Sequence, residues 1–246
     1  MKIYVIGIGP GGEEFMTPQA REAILESDAI VGYTLYVDLI KDLTEGKEIK
    51  TTKMKQEVDR CKMALETALE GKTVAFVCSG DAGVYGMAGV MNEVADKEGH
   101  PEVEIITIAG ITAACSGAAV LGAPLIHDFA VISLSDLLTP WEKIEKRLRL
   151  AADADFVICL YNPKSKKRHD YIDKAVDIMS EFKSLDTPAG YVKHIGREGE
   201  VGTVCTMKDL KNNDDIDMFT TVFIGNSTTK IINNKLVTPR GYKDVK

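Results

Sequence analysis

TVAFVCSGDAGVYGMAG, running from Thr73 to Gly89, is the stretch from which the fold of this chain is read. Thr73 to Cys78 is a short apolar run between Gly71 and Ser79, the pattern of a strand buried on both faces of a parallel sheet. Open α/β sheets collect their ligands just beyond the carboxyl ends of such strands, so a crevice is expected there. At that end stand Ser79, Gly80, Asp81, Ala82 and Gly83, small residues around one carboxylate. Gly80 and Gly83 lack a Cβ, so the backbone can take positive φ or lie against a ligand. An ordinary strand-to-helix turn with a polar cap has the same composition.

Working outward, Lys2 to Gly9 reads as the first strand, and GIGPGG at Gly7 to Gly12 matches GxGxxG. A dinucleotide site needs a helix that opens within the glycine run. Here the helix signal comes later, with Thr17 as N-cap, Pro18 at N1 and Ala20, Ile24 and Leu25 as an apolar stripe. No acidic residue ends the second strand, Ala29 to Val31, which runs into Gly32-Tyr33, so a nicotinamide oxidoreductase is the weaker alternative. Lys47 to Thr52 reads as a short strand, and Glu57 to Leu69 repeats Val58, Cys61, Ala64, Leu65 and Ala68 at helical spacing before Gly71 ends it. Val84 to Ala95 predicts a helix and Val103 to Ala109 a strand. Five β-units with helices between them predict a doubly wound parallel sheet.

Gly110 to Ala119, GITAACSGAA, is built of small side chains, with Thr112 as a candidate N-cap. Such a run suits close approach to a ligand, tight helix packing, or a domain boundary. We therefore divide the chain into an N-terminal α/β domain, residues 1–113, and a C-terminal α/β domain, residues 114–246. In the second, Phe129 to Leu134 and Phe156 to Tyr161 read as strands. Thr139 and Glu142 predict a capping box with Pro140 at N1, ahead of a helix whose face carries Trp141, Ile144, Leu148 and Ala152. A second helix bears Tyr171, Ala175, Ile178 and Phe182. Ala189 to His194, Gly202 to Cys205 and Phe219 to Ile224 are further strands, joined by connections too short for crossover helices, so the sheet is expected to be mixed.

The 246 residues are 45% hydrophobic and 27% charged, ordinary for a soluble globular protein. Cys61, Cys78, Cys115, Cys159 and Cys205 show no CxxC and no zinc-ligand spacing, which implies a reducing cytoplasm, no metal and no iron–sulfur cluster. The N-terminus lacks signal-peptide features, and no apolar run reaches the roughly 18 residues of a membrane span. A net charge of −7 argues against a nucleic-acid partner.

With these residues placed, the sequence resembles the tetrapyrrole methylases, enzymes that use S-adenosyl-L-methionine to methylate porphyrin-like rings. The resemblance runs from the first glycine loop through SGDAGVYGMAG and GITAA to TTVFIGNST, nearly the whole chain. LGAPLIHDFAVISLSDLLTPW, from Leu121 to Trp141, and YNPKSKKR, from Tyr161 to Arg168, are similar to the branch that methylates precorrin-3B or cobalt-precorrin-3 at C-17 in cobalamin biosynthesis, with ring contraction. The family turn reads SGDPG, and Ala82 replaces its proline here. The resemblance implies two α/β domains in a homodimer with the cofactor between the domains. It implies cofactor contacts at Pro10, Ser79, Gly80, Asp81, Val84, Thr112 and Ala113, and further ones at Tyr161, Asn162 and Gly196.

The small-molecule substrate would be a macrocycle carrying several carboxylates, which calls for local cations. Lys164, Lys166, Lys167, Arg168 and Arg197 are candidates, although such a charge run also suits a solvated helix start. His127 beside Asp128 is a candidate acid or base for the proton movements of ring contraction, and equally a structural hydrogen-bonded pair. A non-catalytic tetrapyrrole carrier is the remaining alternative, opposed by the intact SGDAG and GITAA turns.

Overall fold

Runs of five or six residues set apart by helices, apolar except at the polar edge strand Glu48–Thr52, give the first unit its sheet. The computed structural model describes residues 1–165 and 168–243 and divides into two units, Met1–Thr112 and Ala113–Lys246. In the first, β1 (Lys2–Gly7), β2 (Ala29–Tyr33), β3 (Glu48–Thr52), β4 (Thr73–Cys78) and β5 (Glu104–Ile108) pair in the order β3-β2-β4-β1-β5, every pair parallel. The connecting helices are α1 (Pro18–Glu26), α2 (Thr34–Asp38), α3 (Glu57–Leu69) and α4 (Ala88–Glu98). Alternate residues of the strands serve two cores: Ile3, Val5 and Phe76 pack with Cys61 and Leu65 of α3 and Met91 of α4, whereas Ile6, Ile30 and Val77 pack with Ala20 and Ile24 of α1. Burying one such side chain contributes about 1.5–3 kcal/mol, so the doubly wound arrangement follows from both strand faces being apolar.

Local signals hold at α1, where the Thr17 hydroxyl accepts from the Ala20 amide at 3.2 Å and Pro18 takes N1. Leu25 and Val58, assigned above to apolar stripes, are exposed instead, and Arg60 takes a buried place in α3. The helix expected from Val84 starts only at Ala88. Asp81 Oδ1 accepts from the Gly83 and Val84 amides, and Tyr85 has φ 52°, so these residues form a turn incompatible with a helix start.

The second unit contains α5 (Ala113–Leu121), β6 (Gly122–Ala123), β7 (Phe129–Ser133), α6 (Trp141–Asp153), β8 (Val157–Tyr161), α7 (Tyr171–Met179), β9 (Pro188–Lys193), β10 (Val201–Thr206), β11 (Thr220–Ile224), β12 (Lys230–Ile232) and β13 (Lys235–Val237). The main sheet runs β10-β9-β11-β8-β7, with β7 and β8 parallel and the other pairs antiparallel. The mixed sheet expected from the short late connections is present. A small sheet, β12-β13-β6, was not legible beforehand. Its strands are two or three residues long, and the Asn233-Asn234 turn, with φ 50° and 57°, is its one sharp signal.

Two local expectations fail in this unit. Pro140 is itself the N-cap of α6, its carbonyl accepts from the Lys143 and Ile144 amides, and Thr139 makes no capping box. The box forms at Thr206 and Asp209, ahead of a short 3-10 helix. Phe182 lies beyond the end of α7 and is exposed, while Ile172, Val176 and Met179 fill the core.

The small-residue run of α5 acts as a packing device. A Cβ on Gly117 would stand 2.9 Å from the Phe223 ring and 3.0 Å from Ile195 Cδ1, closer than carbon atoms approach. Gly117→Val is therefore expected to lower stability by about 1–3 kcal/mol through overpacking. Urea unfolding of the variant checks this, and Phe223→Leu in the same chain should restore part of the loss.

Candidate functional site

The carboxyl edge of the parallel sheet is drawn together by backbone contacts before any side chain takes part. Gly9 and Gly80, beyond β1 and β4, exchange hydrogen bonds: Gly9 N–H to the Gly80 carbonyl at 3.1 Å, and Gly80 N–H to the Gly9 carbonyl at 2.7 Å. Both have left-handed φ, +78° and +70°, which only glycine adopts without strain. Gly110, beyond β5, comes so near that a Cβ there would sit 2.2 Å from the Gly80 carbonyl oxygen and 2.5 Å from that of Gly7.

Asp81 locks this arrangement. Its Oδ1 accepts from the Gly83 amide at 2.7 Å and the Val84 amide at 3.1 Å, and its Oδ2 accepts from the Gly110 amide at 2.9 Å. One carboxylate thus fixes its own turn and ties it to the turn after β5. Asp81, the one carboxylate of this turn, is a half-buried internal acceptor, with one lone pair of Oδ2 left for an outside donor. The signal missed was Gly110, whose amide is the partner.

The same contacts weigh against the nicotinamide alternative. Gly9, central to GIGPGG, has both of its backbone groups engaged with Gly80, and Glu13 and Glu14 follow in a 3-10 turn before α1 opens at Pro18. Amides used in this way and two nearby carboxylates do not cradle a pyrophosphate. Pro10, Ser79, Gly80, Asp81 and Val84 are brought to one edge, with Thr112 close by: its Cα lies 3.9 Å from where a Gly80 Cβ would stand.

In the second unit, β7, β8 and β9 run in one direction, because β8 and β9 are each antiparallel to β11. At their shared carboxyl edge the Tyr161 hydroxyl accepts from the Ala114 amide at 2.6 Å, next to Ala113 at the start of α5. Asn162, with φ 53°, donates from Nδ2 to Ser133 Oγ at 2.9 Å. Gly196 donates its amide to Glu200 Oε2 at 2.7 Å, and Arg197 donates its amide to the His194 carbonyl at 2.8 Å. His194, with φ 51° and stacked on Phe219 at 5.6 Å, belongs to this edge and was read only as the end of a strand.

Beyond β8, Lys164 Nζ donates to the Asn213 carbonyl at 3.2 Å and lies 3.4 Å from Asp214. Arg168 Nη1 lies 3.5 Å from Asp136 Oδ1, and the Tyr171 hydroxyl donates to Asp136 Oδ2 at 2.7 Å. That hydrogen bond, then a backbone hydrogen bond at Asp136 itself and Arg168, hold Asp136 below the usual carboxylate range against the opposing effect of burial. Arg168 Nε is buried with no hydrogen-bond partner among the described residues. Lys166 and Lys167 lie outside the described residues.

The structure does not bring His127 and Asp128 to this edge. They precede β7 and border a hollow of about 220 Å³ with Ala154, Asp155, Phe156, Asn226 and Thr228, at the amino ends of β7 and β8. A five-residue strand rising about 3.3 Å per residue separates that end from Asn162. No thiol offers a nucleophile at the turn: burial pushes Cys78, which ends β4, up to about 11. Among the described residues no cluster of metal-ligating side chains occurs, and no helix is long and apolar enough to cross a membrane.

Comparison with known proteins agrees with this architecture. Residues 2–211 match the family model of the Tetrapyrrole (Corrin/Porphyrin) Methylases. A probable cobalt-factor III C(17)-methyltransferase of Salmonella typhimurium is 46% identical over 240 residues, 98% of this chain and 99% of that protein. A cobalt-factor III methyltransferase of Priestia megaterium is 49% identical over 245 residues, and this chain spans 45% of its length. Among solved structures, the methyltransferase CobJ superposes with a TM-score of 0.91 at 38% identity, covering 96% of this chain and 99% of that one.

The contacts of Asp81 set an expected outcome. Asp81→Asn keeps an acceptor for Gly83 and Val84 but turns an NH2 group toward the Gly110 amide, setting donor against donor. Stability should fall by about 1–3 kcal/mol in urea unfolding, with an unchanged denaturant slope. A variant as stable as the parent would remove the carboxylate from its organising role.

Proposed function

The chain belongs to the tetrapyrrole (corrin/porphyrin) methylases, and we propose that it transfers a methyl group from S-adenosyl-L-methionine to C-17 of a corrin precursor in cobalamin biosynthesis, linked to ring contraction. The observation that carries this reading is the match to the Salmonella protein over nearly the full length of both chains. We further propose the cobalt-bearing macrocycle, cobalt-factor III, as substrate, because both curated relatives described above are named for it. The metal-free ring, precorrin-3B, is the alternative.

The residues at the parallel-sheet edge fit the cofactor. Asp81 is the only charged residue from Ser79 to Gly89, so the turn presents no cation against a sulfonium. The glycines leave its backbone accessible, and Oδ2 keeps an acceptor for a hydroxyl. When bound, S-adenosylmethionine supplies an electrophilic methyl carbon with a good leaving group. The protein's part is orientation, which is worth about 7–11 kcal/mol when reacting atoms are held near attack distance. Ser79, Gly80, Asp81 and Val84, with Pro10 and Thr112, form the rigid face for the cofactor; Ala113, Tyr161, Asn162 and Gly196 are the second unit's candidates for it.

Arg168 is the leading candidate for a substrate carboxylate, since its Nε is buried and has no acceptor among the described residues. Lys164 and Arg197 are secondary candidates. The proposed transfer uses no group at the amino edge, where His127 and Asp128 stand. The resemblance also supports a homodimer, and five cysteines with no disulfide fit a reducing cytoplasm.

Incubation with methyl-labelled cofactor and either cobalt-factor III or precorrin-3B tests the reading. One labelled methyl per ring is expected on the cobalt form, identified by product mass and absorption spectrum. Transfer to neither macrocycle would overturn it. Transfer to precorrin-3B alone would overturn the choice of metal.

A further inference from the structure

Arg60, in the first turn of α3, is 5% exposed, yet no carboxylate among the described residues lies within ion-pair distance of it. Its Nε donates to Thr52 Oγ1 at 2.8 Å and its Nη2 to the Lys53 carbonyl at 3.0 Å, and its Cζ lies 5.8 Å from the centre of the Tyr33 ring. All three partners are neutral. Lys183, the other buried cation among the described residues, shows the usual arrangement: its Nζ stands 3.2 Å from Asp155 Oδ1. Buried charges are ordinarily paired, because an uncompensated one carries a heavy desolvation penalty. The start of a helix adds its own positive potential to that of Arg60. Glu57 and Asp59 on the same turn are exposed, and Glu57 Oε1 accepts from the Lys55 amide.

Position gives this cation a use. Tyr33 and Thr52 are the last residues of β2 and β3, so the guanidinium sits at the same carboxyl edge as the Ser79–Gly83 turn, on the side of β2. Neighbouring strands lie about 4.8 Å apart, which puts β3 two spacings, roughly 10 Å, from β4. Among the described residues Arg60 Nη1 has no hydrogen-bond partner, so it keeps its donors for an outside acceptor.

We propose that Arg60, steadied by Thr52, Lys53 and the Tyr33 ring, is a carboxylate-binding site at the edge of the parallel sheet. The inference rests on the methylation reading, in which two carboxylates could occupy it: the amino-acid carboxylate of the cofactor, or an acetate or propionate on the macrocycle. In either case the carboxylate supplies the counter-charge that the guanidinium lacks within the protein's described residues.

Binding of S-adenosylhomocysteine and of uroporphyrin III to the wild type and to Arg60→Met, with the thermal midpoint of each, tests the site. Methionine keeps an unbranched apolar stem and deletes the charge. One affinity should fall about ten- to a hundredfold while the other holds and the midpoint does not drop, and the affected ligand identifies the source of the carboxylate. Unchanged affinities, or a joint loss of both with a lowered midpoint, would overturn the site and leave Arg60 a clamp on the loop after β3. If the variant fails to fold, guanidinium NMR of the 15N-arginine wild type decides: the Arg60 resonance should move with one of the two ligands, and no movement with either overturns the proposal. Wild-type protein that binds neither probe would overturn the methylation reading and this site with it.

Discussion

The Asp81 carboxylate holds three backbone amides from two different strand-end turns, and the form of the parallel sheet's carboxyl edge depends on that. Strand ends in an open sheet would otherwise leave their amides to solvent. Here Gly83, Val84 and Gly110 share one acceptor, and the glycines at 7, 80 and 110 approach so closely that backbone packs on backbone. The result is an edge whose backbone is fixed by its hydrogen bonds and which is negative at one point. An edge fixed in this way suits the proposed role of orienting a small cationic ligand.

Much of this was legible in the sequence. The unbroken apolar run from Thr73 to Cys78 identified a central strand, and it lies between β2 and β1. The late helix start at Thr17-Pro18 separated the glycine loop from a dinucleotide fingerprint. What stayed hidden depended on partners distant in sequence. Asp81 reads as the lone charge of its own turn until Gly110 is folded against it, and Tyr161 reads as a strand end until its hydroxyl meets the Ala114 amide. Helix starts failed for a related reason. At Val84 and Thr139 the expected start gave way to a local alternative, an Asp-centred turn in one case and a proline N-cap in the other.

His127 illustrates a limit of reasoning from residue type. A histidine beside an aspartate just before a strand invites a catalytic role, but the sequence does not say which end of the sheet faces the chemistry. Register places the residue: Phe129 pairs with Val157 and Ser133 with Tyr161, so His127 stands at the end opposite the Asn162 loop, where the proposed cofactor contacts of this unit lie. Arg60 is the converse. Helical periodicity read α3 as an amphipathic helix with Val58 inside, whereas the fold exposes Val58 and buries a guanidinium. Periodicity fixes the spacing of a face and leaves open whether a long side chain such as arginine turns its stem into it.

The central claim is that one carboxylate organises the edge proposed to receive the cofactor. It is tested most directly by amide NMR of the free protein and of the protein titrated with S-adenosylhomocysteine. The account predicts slow hydrogen exchange at the Gly83, Val84 and Gly110 amides before ligand is added, and shift changes centred on these residues and on Gly9 and Gly80 as it binds. Exchange at those three amides as fast as in an unstructured loop, or ligand-induced shifts confined to the opposite edges of the sheets, would contradict it.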